Sequence, residues 1–163
     1  MAKSEHSLVW VPCDRLREPG KVPASALGTA TSYVLVLEVT NQLRVTIGCL
    51  GLCHLEPGCY LYVGSAKRSL AQRLKWHIRR RKKRRWHIDY LTTAKAVRVV
   101  GAFVTARWGE CALRGVLEAR EGCPSVLPRF GASDCTYGCV SHLLRLREGT
   151  SLWQQVKGNG EPL

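Results

Sequence analysis

Apolar β-formers run almost without interruption through YVLVLEV, residues 33–39, a stretch β-rich and long enough for a strand. TNQ then offers a turn, and LRVTI, Leu43 to Ile47, is expected as its hairpin partner. A loop through Gly48, Gly51, Pro57 and Gly58 leads to a third strand, Cys59 to Val63. In that strand Tyr60 and Tyr62 share one face, because side chains repeat every two residues. Gly64 ends the strand, and Ser65 is the expected cap of the helix that follows.

From Ser69 to Arg79 the period changes: Leu70, Leu74 and Ile78 recur every four residues, as on an amphipathic helix. Arg73 and His77, also four apart, project from a neighbouring face. A further strand is expected over Ala96 to Val104, and GECALRGVLEAR reads as a helix with Glu110 in its first turn. PRFGASDCTYGCVSHLLRL reads as a loop and then a short strand. These elements predict an α/β (α+β) domain over residues 28–147, a small, mostly antiparallel sheet of three or more strands flanked by helices. Residues 1–27 read as an irregular leader and residues 148–163 as a tail.

Charge adds a partner to this picture. The chain carries 25 Lys+Arg against 12 Asp+Glu, a net +13, and seven of the cations form the unbroken run Arg79, Arg80, Arg81, Lys82, Lys83, Arg84, Arg85. Such an excess attracts polyanions, nucleic acid before anionic membrane, since the run lacks the apolar face of a membrane-surface helix. The duller reading of the run is a solvated loop or helix end. No apolar stretch is long enough to span a bilayer, and the N-terminus has no secretory h-region, so a cytoplasmic protein is expected. In that compartment the eight cysteines are reduced, and Cys13, Cys49, Cys53, Cys59, Cys111 and Cys123 read as small apolar fillers.

TSYVLVL followed by YLYVGSAKRSLAQRLKWH resembles the GIY-YIG nuclease superfamily. RWHIDYL, GECAL and FGASDCTYGCVSHL extend the resemblance, over roughly residues 31–146, to its Uri-type stand-alone branch. The resemblance implies a divalent-metal-dependent endonuclease acting on nucleic acid, DNA in preference to RNA, with one Mg²⁺ or Mn²⁺. Residue by residue it implies Tyr33 and Tyr62 for the signature tyrosines, Arg73 for the helix arginine with His77 one turn on, and Glu110 for the metal-binding glutamate. No asparagine lies between Asn41 and Asn159 to match the family's late one, and Thr31-Ser32 replace the residues that open its first signature. The alternative is therefore a nucleic-acid-binding protein of the same fold with little or no cleavage.

The chemistry suits these residue types. Phosphodiester hydrolysis needs an activated water and stabilisation of charge on phosphorus. Glu110 can hold a hard cation through oxygen, and Arg73 offers a planar fork to a phosphate. A free phenol has a pKa of about 10, so Tyr33 or Tyr62 needs a nearby charge to act as base. His77 is the other candidate proton carrier, expected to titrate near neutrality. Each residue also has a plain structural role open to it, as strand aromatic, solvated helix face or helix-dipole partner. Lys67 and the Arg79–Arg85 run would grip the nucleic-acid backbone, with Trp76 and Trp86 available for base stacking.

A second tier of candidates lies downstream. His87 and Asp89 would share a face only on a strand. Cys135, Cys139 and His142, with Asp134 or Cys123 as a fourth ligand, are of zinc-binding type, although C-x₃-C-x₂-H is not an ordinary knuckle spacing. The alternative role for His142 is to reach the nuclease pocket.

Overall fold

A computed structural model describes residues 8–18 and 27–158 of the chain. Its centre is a five-stranded antiparallel sheet in the order β1-β6-β2-β5-β7. The strands are β1 (Val9–Pro12), β2 (Ser32–Val39), β5 (Gly58–Ser65), β6 (Val97–Thr105) and β7 (Leu143–Arg145). A separate two-stranded sheet pairs β3 (Leu43–Ile47) with β4 (Gly51–Leu55). The α+β expectation holds.

β2 is the middle strand, and its unbroken apolar run follows from that position. Tyr33, Leu35 and Leu37 point to one face of the sheet; Val34 and Val36 point to the other. On the first face they meet Tyr60 and Tyr62 of β5, Leu70 and Leu74 of α2 (Leu70–His77), and Ile88 and Leu91 of α3 (His87–Thr92). On the second face they meet Leu113 and Leu117 of α4 (Glu110–Glu121) and Leu152 and Val156 of α5 (Ser151–Gly158). Each such side chain, fully buried, is worth about 1.5–3 kcal/mol.

Three expectations are corrected here. β3 exists at the expected residues but does not pair with β2, because β5 and β6 already occupy both edges of β2; β3 pairs instead with β4, which lies inside the expected loop. The leader holds structure: β1 pairs with β6 from Val9 to Pro12, and α1 (Cys13–Arg17) buries Leu16 beside the α2 face. The tail holds α5, whose Leu152 and Val156 are spaced as a helix requires. Residues 1–7 and 19–26 of the leader and 159–163 of the tail lie outside the described residues. Among the described residues no helix is long and apolar enough to cross a membrane.

Candidate functional site

Tyr33 and Gly64 face each other across β2 and β5. A Cβ at position 64 would meet the Tyr33 hydroxyl at 2.4 Å, so the residue must be glycine for the phenol to lie across the strand. There Tyr33 Oη shares a 2.7 Å hydrogen bond with His77 Nε2, and the Tyr62 ring completes the group, its centroid 6.3 Å from that of Tyr33 and 6.1 Å from that of His77. The pair is dry: Tyr33 and His77 are each 1 % exposed. Burial, with the neighbouring Tyr62, pushes the Tyr33 phenol well above its usual range, and burial raises Tyr62 likewise. Burial and then the Lys82 charge push His77 down to about 3. His77 is therefore a neutral imidazole, not a group titrating near neutrality, and its Nδ1 has no hydrogen-bond partner among the described residues.

Arg73 places a positive charge near the sealed pair. Its guanidinium stacks on the Trp86 ring at 4.2 Å, and its positive charge offsets part of the rise in both phenols. A cleft of about 630 Å³ runs past it, lined by Lys67, Arg68, Arg73, Arg85, Trp76 and Trp86 among others. Four cations and two indoles around an open groove suit a phosphate backbone with unpaired bases. The helix that presents Arg73 is capped by Ser69, whose hydroxyl accepts from the Gln72 amide at 3.3 Å. Ser65, the expected cap, ends β5 instead.

The basic run does not act as a unit. α2 ends at His77, and the cations follow it in irregular chain. Lys82, its side chain 1 % exposed, folds back to donate to the α2 carbonyls of Trp76 (2.9 Å) and His77 (3.1 Å). It caps the helix and is unavailable to a polyanion. Arg80 donates to the carbonyls of Val97 (2.6 Å) and Thr92, and Arg84 donates to Thr93 Oγ1 while lying over the Tyr90 ring. Arg79 and Arg85 lie over Trp76, Arg85 also lining the cleft. Arg81 and Lys83 are exposed and make no contact with another charged or polar side chain among the described residues.

Asp89 and His87 are drawn into the scaffold. Asp89 is fully buried and accepts from Trp76 Nε1 (3.1 Å), the Arg85 amide (2.9 Å), the Trp86 amide (3.1 Å) and Lys82 Nζ (3.2 Å). Burial pushes its carboxyl up, but those amides and Lys82 outweigh burial and hold it below the usual range. His87 Nδ1 accepts from the Gly131 amide at 3.0 Å. The two lie on a helix, so they do not share a face. Asp89 has no lone pair to spare, and His87 has its Nδ1 engaged.

Glu110 approaches from the opposite face of the sheet, round the end of β5. Ser65 Oγ donates to its Oε2 at 2.7 Å, and His142 Nδ1–H donates to its Oε1 at 2.6 Å. Its side chain stays 28 % exposed. Burial raises this carboxyl, but the His142 and Ser65 hydrogen bonds, with the charges of His142 and Arg73, bring it below the usual range. An ionised, half-open carboxylate with lone pairs to spare is a fitting ligand for a hard divalent cation. Tyr33, Tyr62, Arg73 and Glu110, distant in sequence, thus converge on one end of the sheet.

Directly behind Glu110 is a cluster that can hold a metal ion: Cys111, Cys135, Cys139 and His142, with ligand atoms all within 4.8 Å of one another. Hydrogen bonds from the Cys139 and Tyr137 amides lower the Cys135 thiol to about 6, and burial raises Cys111 to about 12. The fourth member of the cluster is Cys111, read from sequence as a filler. Cys123 is sealed in the core under α4 and α5, and Asp134 is exposed outside the cluster. Cys111 follows Glu110 at the start of α4, 24 residues before Cys135, so no local spacing marks it.

Residues 32–162 match the family described as Domain of unknown function DUF123. No curated protein and no solved structure matches the chain.

Proposed function

The chain belongs to the DUF123 family, a domain of unknown function, and we propose that it is an endonuclease that hydrolyses phosphodiester bonds in nucleic acid, DNA in preference to RNA, with one Mg²⁺ or Mn²⁺ held at Glu110. The observation that carries this reading is that Arg73, which lines a cleft of cations and indoles, lies within electrostatic reach of Tyr33, Tyr62 and Glu110. The GIY-YIG resemblance supports it independently, because the residues it singles out, Tyr33, Tyr62, Arg73, His77 and Glu110, are those that come together.

In this reading Lys67, Arg68 and Arg85 draw the backbone into the cleft, and Arg73 grips the scissile phosphate with its fork. Trp86 fixes the guanidinium plane by stacking beneath it. Glu110, oriented by Ser65 and His142, supplies the carboxylate for the divalent ion. An ion held there would supply charge stabilisation at the phosphoryl oxygens and help to activate water. Neutral His77 accepts the Tyr33 hydrogen bond and so holds that phenol aimed past Gly64.

A second reading is a nucleic-acid-binding protein of the same fold with weak or no cleavage. The dryness of the Tyr33–His77 pair favours it, since a sealed phenol raised well above its usual range is a poor base at neutral pH. Cleavage assays on single-stranded, duplex and branched DNA, and on RNA, with Mg²⁺, Mn²⁺ or EDTA, separate the two. Cutting that disappears in EDTA and in Arg73→Ala supports the endonuclease. Salt-sensitive binding without cutting under every metal supports the second reading.

A further inference from the structure

We infer that Cys111, Cys135, Cys139 and His142 bind a structural Zn²⁺, and that this site and Glu110 are joined through the single imidazole of His142. The inference stands apart from the nuclease reading.

Donor type comes first. Three thiols and an imidazole with no carboxylate among them select zinc over the hard cations. Spacing agrees. A tetrahedral ion with Zn–S bonds of about 2.3 Å and Zn–N of about 2.0 Å sets its ligand atoms about 3.5–3.8 Å apart. Cys111 Sγ lies 3.6 Å from Cys135 Sγ and 3.8 Å from His142 Nε2. The sulfur pair is far beyond the bond length of a disulfide, about 2.05 Å.

The surrounding chain gives the ion a task. Residues 122–142, between α4 and β7, hold no helix or strand beyond one isolated bridge at Ser125. Structureless connections longer than about 12–15 residues are uncommon inside a compact domain. Three of the ligands, Cys135, Cys139 and His142, sit in this connection, His142 as its last residue before β7; Cys111 is on α4. An ion held by all four ties the loose connection to both elements that flank it.

His142 then faces two ways. With Nε2 on zinc, the ring carries its proton on Nδ1, the atom that donates to Glu110 Oε1 at 2.6 Å. Carboxylate, histidine and metal in this order form an outer-shell pair that fixes the tautomer and raises the ligand's basicity. Coupling runs both ways: Glu110 tightens zinc binding, and zinc holds the histidine that orients Glu110.

The test is metal analysis of the full chain purified under reducing conditions from zinc-supplemented culture. About one zinc per chain is expected, and exchange with Co²⁺ should give thiolate charge-transfer absorption with the intense d–d bands of a tetrahedral site. Cys139→Ser should lose the metal, while Cys123→Ser, outside the cluster, should keep it. Glu110→Ala should weaken zinc binding about 10- to 100-fold, and Glu110→Gln, whose amide oxygen still accepts from Nδ1–H, should weaken it less. Absence of zinc with no uptake on titration overturns the site, as does zinc retained by Cys139→Ser. Zinc affinity unchanged in Glu110→Ala overturns the coupling. If the cysteine variants do not fold, the wild-type cobalt spectrum decides alone: octahedral bands or no charge transfer overturn the site.

Discussion

Asp89 and Glu110 are both carboxylates with several hydrogen bonds, and both are held below the usual acid range. They differ in what is left over. Asp89 is fully buried with four donors around it, two of them main-chain amides, so every lone pair is spoken for. Glu110 has two donors and an open side, and lies within electrostatic reach of the Arg73 guanidinium, which forms no ion pair among the described residues. A saturated carboxylate ties the chain together; an unsaturated one beside a cleft is left to take a ligand. The same contrast divides the cations. Lys82 and Arg80 are spent on carbonyls of the scaffold, whereas Arg73, Arg85, Lys67 and Arg68 line the cleft.

The largest expected effect removes the saturated partner. Asp89→Ala leaves Lys82 buried without its counter-charge and should destabilise the fold by about 3–5 kcal/mol, read from urea unfolding midpoints. A loss within the range of surface substitutions, about 0.5 kcal/mol, would make Asp89 dispensable and break the contrast. On the other side, Arg73→Ala should lower cleavage about 10²–10³-fold and leave stability nearly untouched. An Arg73→Ala protein that unfolds but cuts normally when folded would reverse the assignment.

Gly64→Ala sharpens the geometry between the two regions. The added methyl collides with the Tyr33 hydroxyl, so about 1–3 kcal/mol of stability should be lost along with the Tyr33–His77 bond. Near-ultraviolet circular dichroism of the buried tyrosines reads that loss. Replacement without spectral change would mean that the phenol is not held where it lies.

Acid should find His77 before the carboxylates. Its pKa is about 3 in the fold against 6.5 when unfolded, so the unfolded chain binds the extra proton. The stability it contributes is fully present above about pH 6.5 and is lost progressively as pH falls toward 3. His87, also lowered, adds in the same direction, and His142, raised, opposes it. The share of His77 is therefore the difference in slope between wild type and His77→Gln over pH 6.5 to 4.5, above the range where Asp89 and Glu110 protonate. Parallel curves would contradict a buried neutral imidazole. Smallest of all, Arg81→Ala with Lys83→Ala should lower the salt slope of DNA binding by about 2, and Arg80→Ala should leave it nearly unchanged.

Much of this was readable in the chain, unevenly. β2, β5, β6, α2 and α4 lie within a residue or two of their expected spans, because each has a strong period and both faces of β2 are apolar. Partners were less legible. Nothing in LRVTI says that both edges of β2 are taken, so its pairing with β4 could not be read locally. The GIY-YIG resemblance singled out the candidate residues as a set, but their states were not legible. The burial that silences His77 comes from Tyr33, 44 positions away, with the Tyr62 and Trp86 rings packed round it. Lys82 and Arg81 are adjacent and chemically alike in sequence; only the fold sends one to the C-terminus of α2 and leaves the other in solvent.

The most direct test of the central proposal is anomalous diffraction from a crystal soaked with Mn²⁺ and a non-cleavable oligonucleotide. The account predicts a manganese peak about 2.0–2.3 Å from a Glu110 carboxylate oxygen, with a phosphate in the fork of Arg73. A Glu110 without manganese, or nucleic acid bound away from Arg73 and the cleft beside Trp86, would contradict it.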